Sequence, residues 1–188
     1  MPWIDEDHID TGDVNGNRAR DALVITPEAL TSAGAAKLIA ALNAELSAQY
    51  PEPGATHFHL ASAEVAPGAG IFLVARVLGR PVGCGALRCL SEAVLIRELG
   101  PRAGELKRMY VAPEARRQGI GRALLVQLEA EARTLGLDRL VLETGIRQTE
   151  ALALYRRAGF TGIAAYGEYA ASPATSVCLA KALSLGDE

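Results

Sequence analysis

The chain carries no surplus of positive charge. Lys and Arg number 19 against 22 Asp and Glu, and the net charge is −3. A nucleic-acid binder needs a basic excess, so that class of partner is set aside. No apolar run reaches the roughly 20 residues of a membrane-spanning helix. The N-terminal Met1-Pro-Trp-Ile-Asp-Glu-Asp is acidic and lacks the apolar segment of a secretion signal. These absences lead us to expect a cytoplasmic protein with no membrane partner. Cysteine is scarce too: Cys84, Cys89 and Cys178 are the three. Cys84 and Cys89 lie on one expected strand with side chains on opposite faces, so they cannot pair there. An odd count of buried, reduced thiols fits that compartment. His57 and His59 have ligand-like spacing but no third ligand cluster, so no metal is expected. No repeat, low-complexity stretch or linker divides the 188 residues. That length buries a full core without covalent staples. Residues 1–20 read as an N-terminal arm and residues 21–188 as one domain.

What is present alternates between strand and helix patterns. Residues 22–26 read as a short strand. Residues 32–49 read as a helix, with Leu38, Leu42 and Leu46 at helical spacing. Residues 50–70 are rich in Pro, Gly and Ala and read mostly as loop. Residues 71–78 and 82–90 form a hairpin across a Gly79-Arg80-Pro81 turn. Residues 91–104 read as turn and loop, and 105–111 as the next strand. A helix over 119–135 has Leu124, Leu125, Leu128, Ala132 and Leu135 as its apolar stripe, with Glu129 and Arg133 on the wet side. Strand 139–144, helix 148–158, and strands 160–165 and 175–181 follow. Hairpins mixed with crossovers imply an α/β fold: one mixed parallel and antiparallel sheet flanked by helices.

The most informative stretch is Val111-Ala-Pro-Glu-Ala-Arg-Arg-Gln-Gly-Ile-Gly-Arg122. A strand ends, a basic glycine turn follows, and a helix starts at once. A helix N-terminus offers unpaired N–H groups and a positive dipole end to a phosphate. Gly119 and Gly121 lack a Cβ and allow close approach. Arg116, Arg117 and Arg122 add charge, unless they are ordinary solvated arginines. A nucleotide P-loop would need Lys-Ser/Thr after its last glycine, and Arg122-Ala123 stands there. A dinucleotide fingerprint would need a third glycine where Leu124 stands, which argues against an NAD-binding oxidoreductase. What remains, Arg-x-x-Gly-x-Gly after a Val-x-Pro strand end, resembles the acetyl-coenzyme A turn of the GNAT (GCN5-related N-acetyltransferase) superfamily. Gln148-Thr-Glu-Ala-Leu-Ala-Leu-Tyr155-Arg-Arg-Ala-Gly-Phe160 resembles that family's Asn-x-x-Ala-x-x-Leu-Tyr-x-x-x-Gly-Phe segment, with Gln148 in place of Asn. Gly83 to Arg88 carries a weaker match.

The resemblance implies the acyl-CoA N-acyltransferase fold, a mixed sheet splayed between its fourth and fifth strands. The residues agree. In Glu105-Leu-Lys-Arg-Met-Tyr-Val111 the apolar phase slips between Leu106 and Met109, and a β-bulge at Lys107–Arg108 accounts for it. A strand buried on both faces is the plain alternative. By resemblance, the backbone at Met109 and Val111 pairs with the pantetheine arm. Arg116, Arg117, Gln118, Gly119, Gly121 and Arg122 then surround the pyrophosphate, and Gln148 and Tyr155 complete the cosubstrate site.

Acetyl transfer from a thioester to an amine requires a neutral amine, a stabilised oxyanion, a protonated leaving thiolate and aligned reactants. Tyr155 matches the family's general acid, and packing is its plain alternative. Glu105 is the candidate base, directly or through water, or else a carboxylate paired with Arg88 or Lys107. Glu143, at the end of the next strand, is the rival base. Cys84 or Cys89 with a histidine would suit a covalent route, whereas the resemblance implies direct attack. The expected activity is acetyl transfer from acetyl-CoA to a primary amine of a small molecule. Arg88, Arg108 and Arg147 could hold a carboxylate of an amino-acid-like acceptor. A protein N-terminus or lysine as acceptor, and a non-catalytic acyl-CoA sensor, are the alternatives. A homodimer is left open.

Overall fold

The computed structural model describes residues 23–52 and 59–184. The expected arm over 1–20, His57, and part of the 50–70 loop lie outside the described residues. The elements in order are β1 (Leu23–Pro27), α1 (Ala33–Gln49), β2 (Gly70–Val77), β3 (Arg80–Cys89), α2 (Ala93–Leu99), β4 (Ala103–Val111), α3 (Ile120–Thr134), β5 (Arg139–Gly145), α4 (Thr149–Arg157), β6 (Thr161–Gly162) and β7 (Ser176–Ala182). The strands form one mixed sheet in the order β1-β2-β3-β4-β5-β7-β6. Only β4 and β5 run parallel; the other neighbours are antiparallel.

Alternation divides the core between the two faces of the sheet. Leu73, Leu87, Leu106, Leu140, Leu142 and Leu179 meet α3 and α4 on one face. Phe72, Val74, Cys84, Ala86 and Tyr110 meet Ala35, Leu38 and Leu42 of α1 on the other. Val141, Cys178 and Ala180 pack there with Leu95 and Leu99 of α2. Cys84 and Cys89 belong to opposite faces, as their spacing requires, and all three cysteines are free. Ser32 caps α1 by accepting from the Ala35 N–H at 3.1 Å. None of the described helices is long and apolar enough to cross a membrane.

Four expectations are corrected. Residues 93–99 form a helix rather than a loop, because Leu95 and Leu99, one turn apart, are buried against the sheet. Gly100 and Pro101 directly after it, and a length of 7 residues, hide so short a helix from periodicity. The strand expected over 160–165 shrinks to Thr161–Gly162, paired only with Ala180 and Leu179. Beyond it the chain turns inward to bury Tyr166 and Tyr169. Glu129 is not on a wet face: it is buried, and β7 brings Lys181 to 2.6 Å from its carboxylate.

The β2–β3 hairpin turns on Leu78-Gly79, closed by the Val77–Arg80 pair, not on residues 79–81. Both turn residues have positive φ, 50° at Leu78 and 78° at Gly79, as a two-residue turn matched to strand twist demands. Leucine is costly there, and Leu78 is exposed. Leu78→Asn is expected to stabilise the fold by about 1 kcal/mol and to raise Tm by about 2–4 °C. A melt that stays level or falls would mean that the leucine side chain is held by something other than water.

Candidate active site

The site begins where two strands part. β4 and β5 pair only from Ala103–Arg139 to Leu106–Leu142. Immediately after, β4 bulges. Cys84 and Ala86 of β3 face Tyr110 and Lys107, so two steps along β3 match three along β4. Arg108 takes up the extra residue with φ 58°. The phase reverses as the sequence suggested: Leu106 points to the α3 face, and Tyr110 to the α1 face. The β5-facing edge of β4 after Leu106 therefore has no strand partner among the described residues.

Two cavities open at this parting. The larger, about 1050 Å³, runs between the N-terminus of α3 and α4. Met109, Val111, Arg116, Arg117, Gly119, Gly121, Arg122, Gln148 and Tyr155 line it. All were expected there from the sequence. Gly119 starts α3 with φ 82° and no side-chain cap. No backbone carbonyl among the described residues accepts from the N–H groups of residues 117–122. These donors, at the positive end of a helix dipole, face a cleft with Arg117 and Arg122 at its rim. Arg116 differs in its task. Its Nε donates to the Val111 carbonyl at 2.9 Å and its Nη2 to Glu45 at 2.7 Å, pinning the turn to β4 and α1. Gln118 is off the lining, and its amide reaches back to the Glu114 carbonyl at 3.4 Å.

The smaller cavity, about 120 Å³, lies between α1 and the splayed strands. Leu42, Met109, Gln148, Ala151 and Tyr155 line both cavities, so Tyr155 stands where they meet. Its ring is buried, edge-on to Phe160 at 5.8 Å. Burial, and then the charge of Glu143, push its hydroxyl above the ordinary tyrosine pKa. Thr144 donates to Gln148 Oε1 at 2.7 Å and fixes that amide at the junction. Glu143, partly buried, lines the small pocket with Lys107 and Arg108.

Glu105 does not line either cavity. It is fully buried. Arg88 donates to its Oε2 at 2.7 Å, and the hydroxyls of Tyr166 and Tyr169 donate to its Oε1 at 2.9 and 2.8 Å. Of the three arginines considered for an acceptor carboxylate, only Arg108 lines the small pocket. Arg88 is engaged by Glu64, Glu92 and Glu105. Arg147 pairs with Glu52 and stacks over Tyr50 at the rim. No cysteine lines either cavity, and burial pushes the Cys84 thiol up to about 12, so a thiolate nucleophile has no support.

The resemblance implies acceptor walls from residues 50–70 and 166–173, and Tyr50 and Tyr169 of those segments line the small pocket, though neither side chain was singled out for it. Tyr50 accepts from the Arg147 N–H at 2.6 Å and presses on Gly145, where any Cβ would fall 2.1 Å from its hydroxyl oxygen. All five tyrosines are buried and surround this region or support it. In so aromatic-poor a chain, that concentration was the available signal.

The comparisons agree with this geometry. The family model for the acetyltransferase (GNAT) family matches residues 36–160. A curated relative, the IAA acetyltransferase of Azospirillum brasilense, is 46% identical over 102 residues, 54% of this chain and 61% of that one. The match thus spans less than two thirds of that relative's length. A crystal structure described as an acyl-CoA N-acyltransferase from Klebsiella pneumoniae subsp. pneumoniae is 38% identical, with a TM-score of 0.69 over 86% of this chain and 97% of that one. A GNAT family acetyltransferase from Elizabethkingia anophelis, solved with acetyl-CoA bound, shares the fold at 20% identity and TM-score 0.59, over 87% of this chain and 99% of that one. With two thirds of its length under the family model and the splayed sheet that holds the site, this chain belongs to the acetyltransferase (GNAT) family.

Proposed function

We propose that this protein transfers an acetyl group from acetyl-CoA to a primary amine of a small molecule. The observation that carries the reading is the meeting of two cavities at Tyr155, one lined by helix-terminal N–H groups and arginines, the other by a carboxylate. In this reading the pyrophosphate takes the N–H groups of 117–122 with Arg117 and Arg122. The unpartnered edge of β4 at Met109 and Val111 hydrogen-bonds the pantetheine arm. The thioester then reaches Tyr155 and Gln148. Arg116 and Gln118 shape the turn and leave phosphate contact to their neighbours.

The acceptor enters the smaller pocket. Drug-sized sites run to about 300–1,000 Å³, so a cavity of about 120 Å³ suits an acceptor of few heavy atoms. Lys107 and Arg108 face it together with Glu143, which suits an amine that also carries an anionic group, such as an amino acid. Glu143 removes a proton from the bound ammonium. The free amine attacks the thioester carbon, and the carbon–sulfur bond breaks. One proton then passes from the new amide nitrogen to the sulfur, with the Tyr155 hydroxyl as donor to the departing thiolate.

Calorimetry and thiol release test this directly. Wild-type protein should bind acetyl-CoA and release free thiol with at least one member of a panel of amino acids, alkylamines and peptides. Gly119→Val places a side chain at positive φ in the phosphate turn, and should weaken acetyl-CoA binding about tenfold or more with the fold retained. Tight NAD binding without acetyl-CoA binding would reject the proposal. Turnover confined to peptides would replace the small-molecule acceptor by a protein one. Cosubstrate binding with no turnover on any amine would leave a sensor.

A further inference from the structure

We propose that Glu105 is a positioning residue for the acceptor: its carboxylate ties the 167–171 turn to β4 and thereby sets the Tyr169 wall of the small pocket. This rests on the reading of that pocket as the acceptor's.

Between β6 and β7, Tyr166 and Tyr169 pack with Leu95, Leu99 and Val141, and the Gly167 N–H reaches Glu98 at 3.4 Å. β6 ends at Gly162, and the next sheet-like contact is the Ile163 N–H on the Cys178 carbonyl at 3.0 Å. The chain then leaves the sheet, and residues 167–171 form one short 3₁₀ helix. Both tyrosines flanking its start converge on a single oxygen, Glu105 Oε1. Their rings meet edge to face at 5.1 Å. Two charge-assisted hydrogen bonds to one buried acceptor fix the turn's distance from β4 and its rotation about it. Lys107 Nζ lies 5.7 Å over the Tyr169 ring and 3.4 Å from Glu168 Oε1, closing the same contact from the pocket side.

The other carboxylate oxygen is equally committed. Arg88 holds Oε2 and reaches on to Glu64 at 2.5 Å and Glu92 at 2.8 Å. Those carboxylates belong to the 62–65 turn and to the residue before α2. Glu105 thus joins β4 to three flanking segments at once. A base must come within hydrogen-bond reach of the proton that it removes. Here Tyr169, Leu106 and Lys107 line the pocket, and Glu105 lies behind them. To act as a base it would release a tyrosine in each turnover. To position, it needs only to stay where it is. The residue next to it in the chain, Leu106, ends the β4–β5 pairing, so the anchor is placed at the root of the splay.

The test compares Glu105→Gln, Tyr166→Phe and Tyr169→Phe in the full chain. Amide exchange of residues 167–171 should speed up by about tenfold or more in Glu105→Gln, and by less in each tyrosine variant. Acceptor KM should rise about tenfold, more than kcat falls, while acetyl-CoA affinity and the shape of the pH–rate profile hold. Unchanged exchange in Glu105→Gln overturns the tether. Faster exchange with unchanged acceptor KM overturns its link to the pocket. A collapse of kcat with an altered acid limb and normal KM overturns positioning in favour of a base. Should Glu105→Gln fail to fold, the two tyrosine variants carry the same comparisons. Failure of the acetyltransferase reading shows separately, as wild-type protein that releases no thiol, and the exchange data still decide the tether.

Discussion

Replacing Tyr155 by Phe is expected to lower turnover about 10–1000-fold while acetyl-CoA affinity stays within about twofold. The ring lies in the core beside Phe160, and Phe keeps that packing. The melt should therefore barely move. What is lost is one hydroxyl at the junction of the two cavities. That hydroxyl cannot work as a ready acid in water. Burial and the Glu143 charge push its pKa up, away from the pKa of about 8.5 of an ordinary thiol. Full proton transfer to a free thiolate would run uphill. A hydrogen bond that strengthens as charge builds on sulfur does not, and it is worth most in a site from which water is excluded. The same shift keeps the proton on Tyr155 through neutral and mildly alkaline pH. The wild-type pH–rate profile should show no alkaline limb from this group below about pH 10. Steady-state kinetics over pH, with calorimetry of acetyl-CoA, check both statements. Unchanged turnover in Tyr155→Phe would assign the residue to packing and the proton to water.

The sheet was legible because its strands alternate between two buried faces. Leu73 and Leu87 go to one face, Phe72 and Ala86 to the other, and the sequence shows the two sets interleaved. The bulge was legible for the same reason: a phase slip between Leu106 and Met109 has few physical causes. α2 was not, since a helix of two turns makes too few repeats to rise above the loop residues around it. The brevity of β6 could not be read either. Residues 160–165 have strand-like composition, and the chain leaves the sheet where Tyr166 and Tyr169 reach one distant partner, Glu105.

The lining of the larger cavity was legible in the sequence, because a glycine turn at a helix N-terminus is a local device. The residues concerned lie in two short segments, 109–122 and 148–155, each with its own local pattern. The smaller pocket is built from contacts of long range. Tyr50 meets Arg147 across 97 positions, and Tyr169 meets Glu105 across 64. Pair spacing in the chain says nothing about such contacts. Glu105 and Glu143 illustrate the difficulty. Both stand on adjacent strands of the splay, and only burial and partners separate them.

Replacing Glu143 by Gln is expected to slow turnover most near neutral pH and to matter less as the pH rises. An alkylamine with pKa near 10 is about one part in a thousand neutral at pH 7. With Glu143 present, the bound ammonium can lose its proton in the site. With Gln, which fits the same space but accepts no proton, only amine that arrives neutral can react. The defect should approach about 100–1000-fold at pH 7 with an alkylamine and shrink about tenfold for each pH unit above that, closing near the amine's own pKa. A less basic amine as acceptor should show a smaller defect at every pH. Glu105→Gln should not show this pattern, because its carboxylate is buried on Arg88, Tyr166 and Tyr169 rather than facing the pocket. The two variants therefore separate by the slope of their pH–rate profiles, not by the size of their loss at one pH. Profiles of Glu143→Gln that run parallel to wild type would remove it as the base. If both variants ran parallel, the proton would leave through water and backbone carbonyls at the splay, and Tyr155 would be the one side chain taking part in proton transfer.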